Sequence, residues 1–198
     1  MDLFAPISLA TADLLAPALG VQVQTEVDII KEHILDFEYL LSRSWQGCHF
    51  GRQRIDIIAF HHLLMVDWDI AESPDKEHFT VSSFEEIQQI LTERVNAHPH
   101  ERWALYKTPG GGHAFRLSHH TPVEEGVKIQ AAMRGDRLYS MYCGWNAAYN
   151  CRISKKEGRS NDFISSFVRC YGGGFALTEQ ERLLQIHDLF IYGRTYRP

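Results

Sequence analysis

The spacing of apolar and polar positions divides the chain into helical and extended stretches. In residues 26–43, EVDIIKEHILDFEYLLSR, the residues Ile30, Ile34, Phe37, Leu40 and Leu41 recur at helical spacing and predict a helix. The run Ile55–Ile70 is dominated by apolar residues and predicts strand, either single or folded into a hairpin pair. Ser83-Phe-Glu-Glu86 is a capping box in front of IQQILTERV, so a helix is expected near 83–97. ERWALYKT (101–108) and HAFRLSH (113–119) are strand-like, and Pro109–Gly112 between them predicts a hairpin with a glycine-rich tip.

Residues 124–144 predict helix interrupted at Gly135, and Tyr149–Ile153 a short strand. KKEGRSND is a charged loop, and FISSFVRC a further strand that ends at Gly172–Gly174. Thr178-Glu-Gln-Glu181 is a second capping box, opening a helix through about Leu189. This order of elements predicts a mixed α+β fold with a largely antiparallel sheet.

Composition supports one globular unit. The chain has 198 residues, 44% hydrophobic, 12% aromatic and 23% charged. That excludes collagen-like, low-complexity and fully disordered classes, and a chain of this size buries a core without disulfides. Residues 1–25 read as an N-terminal arm or cap, and 26–198 as a single domain. No apolar run reaches membrane-spanning length. The N-terminus lacks a basic leader and carries Asp2 and Asp13, so no signal peptide is expected. Cys48, Cys143, Cys151 and Cys170 form no CxxC pair and read as thiols of a reducing compartment. The expectation is an intracellular protein, cytoplasmic or nucleoid-associated, without a membrane partner.

The net charge of −5 at first argues against a nucleic-acid partner. Its distribution changes that picture. Residues 101–198 hold 14 Lys and Arg against 9 Asp and Glu, whereas residues 1–100 hold 6 against 16. An acidic half precedes a basic half, which is compatible with a confined basic surface as well as with ordinary solvated faces.

Two segments carry candidate chemistry. In Leu64-Met-Val-Asp67-Trp-Asp69-Ile70, two carboxylates two residues apart on a strand point to one face. Like charges so placed tolerate each other when they share a divalent cation; the plain alternative is a solvated strand end. In Tyr106-Lys-Thr-Pro-Gly-Gly-Gly-His113, Gly110, Gly111 and Gly112 allow close approach of a ligand to backbone, and their amides can form an anion nest. His113 leaves that loop with an imidazole able to donate to phosphate. A plain hairpin tip with an incidental histidine is the competing reading.

A strand ending in DxD, then a helix, then a strand–TPxGGxH–strand hairpin resembles the archaeo-eukaryotic primase superfamily, in particular its primase-polymerase type. The motifs here are Asp67/Asp69 and Thr108-Pro-Gly-Gly-Gly-His113, and the resemblance covers about residues 55–175. It implies an RRM-like antiparallel sheet core flanked by helices. It also implies two-metal nucleotidyl transfer with Mg²⁺ or Mn²⁺ on the carboxylates and the histidine on the triphosphate of the incoming nucleotide. Such a site orients the attacking 3′-oxygen and stabilises the leaving pyrophosphate.

The resemblance further implies a third carboxylate and nearby cations. Asp136 is the first choice and Asp162 the second, and Asp136 reads equally well as a helix N-cap. Arg152-Ile-Ser-Lys155-Lys156-Glu-Gly-Arg159 resembles the RxSxK segment of primase-like proteins, with Arg152, Lys155 and Arg159 suited to triphosphate or nucleic-acid backbone.

Other features weigh less. At most one histidine of His61-His62, or of His119-His120, can face a common site, because neighbours on a strand point to opposite faces. His187-Asp188 lies in an expected helix and reads as surface or core. Trp103, Trp145, Tyr142 and Tyr149 read as core rather than as base-stacking platforms. The leading expectation is a metal-dependent nucleotidyltransferase taking nucleoside triphosphates and a single-stranded DNA or RNA template, with a helicase or other replication protein as a further partner. The alternatives are a non-catalytic nucleotide- or nucleic-acid-binding module on the same fold, and a metal-dependent phosphohydrolase or nuclease using the same acids with His61 or His62.

Overall fold

A computed structural model of the chain describes residues 39–48, 51–71, 80–153 and 165–192, with backbone alone for 39–48 and 51–56. The elements run β1 (Tyr39–Cys48), β2 (Gly51–Phe60), β3 (Met65–Asp69), α1 (Phe84–Ala97), β4 (Trp103–Lys107), β5 (Gly111–Arg116), α2 (Val123–Ala132), α3 (Arg137–Asn146), β6 (Tyr149–Arg152), β7 (Ser166–Tyr171) and α4 (Thr178–Tyr192). Two antiparallel sheets form, one ordered β1-β2-β6 and the other β3-β5-β4-β7. The fold is therefore mixed α+β with antiparallel sheets and flanking helices.

Local chemistry explains most of these elements. The Ser83 hydroxyl caps α1 by accepting from the Glu86 amide at 3.2 Å, and the Glu86 carboxylate reaches back to the Ser82 amide at 2.7 Å. The box thus closes one residue earlier than its ideal form. Pro109 and Gly110 make a two-residue turn, closed by reciprocal Thr108–Gly111 backbone bonds of 3.0 and 3.4 Å. The helical stretch at 124–144 breaks at Gly135, as expected. A Cβ there would lie 2.9 Å from Val66 Cγ1, so only glycine lets this link pack on β3.

Two expectations change. Residues 39–43, the end of the expected first helix, form strand instead, because β1 pairs with β2 over its full length from Tyr39↔Phe60 to Cys48↔Gly51. Residues 26–38 lie outside the described residues. The apolar run 55–70 holds two strands, but they join different sheets rather than one hairpin. Long apolar strands reveal burial and not which neighbour they will pair with.

The four-stranded sheet is covered on both faces. On one face α1 buries Ile87, Ile90 and Leu91, and Trp68, fully buried there, donates its indole N–H to Met133 O at 2.9 Å. On the other face Tyr106 and Phe115 meet Phe60, Phe167 and His187 in edge-on and tilted ring contacts of 4.8–6.4 Å. Among the described residues, no helix is long and apolar enough to cross a membrane. Cys143, Cys151 and Cys170 are free thiols.

Candidate functional site

The site grows from the pairing of β3 with β5. Leu64 O and Ile70 N bond to Arg116 N and Gly110 O, so the even-numbered residues of β3 make the ladder. Asp67 and His113 consequently face each other at a non-hydrogen-bonded position, where side chains of antiparallel strands stand closest. His113 Nε2 lies 3.1 Å from Asp67 Oδ1, with side-chain exposures of 15% and 22%. Asp69 is two residues on, opposite Gly111, and shares the face of Asp67. The paired carboxylates and the hairpin histidine therefore come together as expected.

The glycines serve the backbone first. Gly111 and Gly112 belong to β5, and only Gly110 lies in the turn, where its carbonyl accepts from Ile70 N at 2.8 Å. None of the three adopts positive φ, so the tip is a tight turn continued by ladder rather than an alternating nest of free amides. A Cβ on Gly111 would fall 1.9 Å from the Trp68 carbonyl oxygen. Gly111, the second glycine in the run, is thus a requirement of strand contact at the site's edge.

Asp136 comes near without presenting an open carboxylate. Its amide donates to Asp67 O at 2.8 Å, and its Oδ1 accepts from Tyr139 N at 2.8 Å, capping α3. The cap role is the one seen. Arg152 ends β6 and is half-buried. Lys155, Lys156, Arg159 and Asp162 lie outside the described residues. Among the described residues, no group of three His, Cys, Asp or Glu is arranged to hold a metal ion. Among the described residues, the fit for a divalent cation therefore rests on Asp67 and Asp69.

The residues behind this site were the ones sequence reasoning missed. Cys151, fully buried on β6, stands against both His113 and His187. His187, also fully buried, has its Nδ1 3.0 Å from Asp188 Oδ1, and the same oxygen accepts from Tyr106 OH at 2.7 Å. A polar chain thus runs Asp67–His113–Cys151–His187–Asp188–Tyr106 through the apolar interior. The only sequence signal was the adjacent His187-Asp188, and nothing in the spacing tied it to Cys151.

Electrostatics follow from this packing. Burial disfavours a charged His113, yet the Asp67 carboxylate and Cys151 outweigh it and raise the imidazole to about 10. Burial also opposes ionisation of Cys151, but His187 and His113 hold its thiol below the ordinary range. For His187 the burial penalty is overcome by Cys151 and Asp188, and its affinity for a proton rises. Compensating charges therefore lie within one buried chain.

A second charged cluster is structural. Glu101 accepts from Arg94 at 2.7 and 2.8 Å and from the Trp103 indole at 2.8 Å, and pairs with Arg116 at 3.1 Å. It sits at the end of β4 away from the hairpin turn. The discounted histidines also have local roles: His61 Nδ1 lies 3.3 Å from Ala147 O, and the rings of His62 and His120 stack at 5.9 Å. Trp103 and Tyr149 are core as expected, whereas Tyr142 and Trp145 are 53% and 71% exposed. No match was found among protein-family models, curated proteins or solved structures.

Proposed function

We propose that the protein is a metal-dependent nucleotidyltransferase of primase-polymerase type, with Asp67 and Asp69 as the cation-holding pair. One observation carries this reading: both carboxylates lie on one face at the end of β3, with His113 directly across on β5 and the Pro109–Gly110 turn beside them. The RRM-like character of the β3-β5-β4-β7 sheet belongs to the same proposal. Asp67 and Asp69 would hold Mg²⁺ or Mn²⁺, which would supply the positive charge needed to activate a 3′-hydroxyl and to stabilise the departing pyrophosphate. His113, directly across from Asp67, would donate to the triphosphate of the incoming nucleotide.

Incorporation of labelled nucleotides on primed and unprimed single-stranded DNA and RNA, with Mg²⁺ and with Mn²⁺, tests the reading. The protein should extend at least one of these substrates. Asp69→Asn, and Asp67→Asn with Asp69→Asn, should lower incorporation at least a hundredfold. Activity undiminished in the double variant refutes the assignment.

A second reading, a binding module without catalysis, is favoured by one observation. Asp67 Oδ1 is taken by His113 and Asp136 Oδ1 by the α3 cap, so these proposed carboxylates already have structural partners. That module would bind nucleotides or single strands with steep salt dependence and incorporate nothing.

A further inference from the structure

Helix α3 is folded with its apolar stripe outward. Leu138, Met141, Tyr142 and Trp145 follow the i, i+3, i+4, i+7 spacing of one helix face and are 41%, 38%, 53% and 71% exposed. The face turned inward instead carries Asp136, Ser140 and Cys143. Tyr142 and Trp145 meet edge to face at 5.6 Å, and both side chains remain exposed. The helix begins at the candidate site, through the Asp136 amide on Asp67 O, and its 10 residues extend about 15 Å from it.

Along the chain, the stretch around this helix is rich in cations. Residues 126–153 contain Lys128, Arg134, Arg137 and Arg152, and Asp136 is their only carboxylate, buried in the cap. Arg134 is paired with Glu86 at 2.7 Å, while Arg137, the first residue of α3, is exposed and forms no ion pair among the described residues. Glu124 and Glu125 open α2 at its other end, and Glu125 turns to Arg116 at 3.4 Å.

We infer that the exposed face of α3 is a stacking platform for single-stranded DNA or RNA, with unpaired bases on Trp145 and Tyr142 and backbone phosphates on Arg137. Every base has a π face, so such a platform holds a strand without reading its sequence, and nearby cations neutralise its backbone. The identity of the partner rests on the nucleotidyltransferase reading above. The platform would lead a template strand along α3 towards Asp67.

The test is the binding of a fluorescent 20-nucleotide oligo-dT and oligo-U by the full chain in EDTA, read by anisotropy and by quenching of tryptophan emission. Tyr142→Leu with Trp145→Leu keeps an apolar face and removes the rings. It should weaken binding at least tenfold and abolish most of the quenching, at an unchanged melting temperature. A wild type that binds neither oligonucleotide, or a double variant within twofold of wild type, overturns the inference. So does a concentration-dependent dimer dispersed by Trp145→Lys at unchanged oligonucleotide affinity, which would make the face a contact between copies. Because the assay contains no metal or triphosphate, loss of the catalytic reading leaves its result standing. Failure of the platform likewise leaves the Asp69→Asn assay intact.

Discussion

Substituting Gly111 by alanine tests the geometry of the site at its tightest point. The added methyl would lie 1.9 Å from the Trp68 carbonyl oxygen, 2.9 Å from its carbon and 3.2 Å from Asp69 Cα. All three are backbone atoms of β3, so no side chain can swing aside, and the strands must part where Asp69 stands. Overpacking usually costs 1–3 kcal/mol where side chains can adjust. With backbone on both sides the expected cost is at the top of that range, about 3 kcal/mol. Gly112→Ala provides the control within the same strand. Its methyl would meet Phe84 Cε2 at 3.2 Å, Tyr106 O at 3.2 Å and Ile87 Cδ1 at 3.3 Å, and two of these are side-chain tips able to yield. Its cost should stay near or below ~1 kcal/mol. Urea unfolding followed by far-UV circular dichroism reads the difference. At a slope of ~2 kcal/mol per molar urea, the Gly111→Ala midpoint should fall by about 1.5 M and that of Gly112→Ala by about 0.5 M or less. Equal midpoints, or a larger loss for Gly112→Ala, would refute the argument that β3–β5 contact fixes this glycine.

Three further outcomes follow from the buried chain and the α3 cap. His113 is raised from 6.5 to about 10, so its pair with Asp67 contributes fully below pH 6.5 and fades as pH rises through 10; the stability gap between wild type and His113→Gln should shrink over that interval in urea titrations. Tyr106→Phe removes the 2.7 Å bond to Asp188 Oδ1 deep in the core and should cost about 1–3 kcal/mol by the same assay. Asp136→Asn keeps a good N-cap and should leave stability within ~0.5 kcal/mol, whereas Asp136→Ala should lose about 1 kcal/mol. Nucleotide incorporation by Asp136→Asn then separates a cap from a metal ligand, since only the ligand role requires the negative charge.

The sequence made legible whatever is decided within a few residues. Ser83 and Glu86 announced α1, Pro109-Gly110 the turn, and Gly135 the break between two helices. The DxD spacing placed Asp67 and Asp69 on one face, and the register then set His113 opposite Asp67. What it could not convey are partners far apart in the chain. Leu40 and Leu41 fit a helical stripe, yet pairing with Ala59 and Ile58 makes them strand. Cys151 and His187 meet only because β6 and α4 pack on one sheet face. Helix α3 misled for a different reason: its apolar stripe implied burial, but the capping and small residues Asp136, Ser140 and Cys143 face inward.

The strand that carries the two acids is an edge of its sheet, with its odd-numbered backbone groups pointing away from β5. Met65 O is taken by Gln130 Nε2 at 2.8 Å and Asp67 O by Asp136 N at 2.8 Å, while Gly135 lies against Val66. The α2–α3 link thus stands where a fifth strand would, and it shields an otherwise sticky edge from recruiting other chains. Loosening that link would do more than disturb the acids. It would bare the backbone of β3 as a template for intermolecular pairing, so substitutions that bulk up Gly135 should first betray themselves as aggregation during expression.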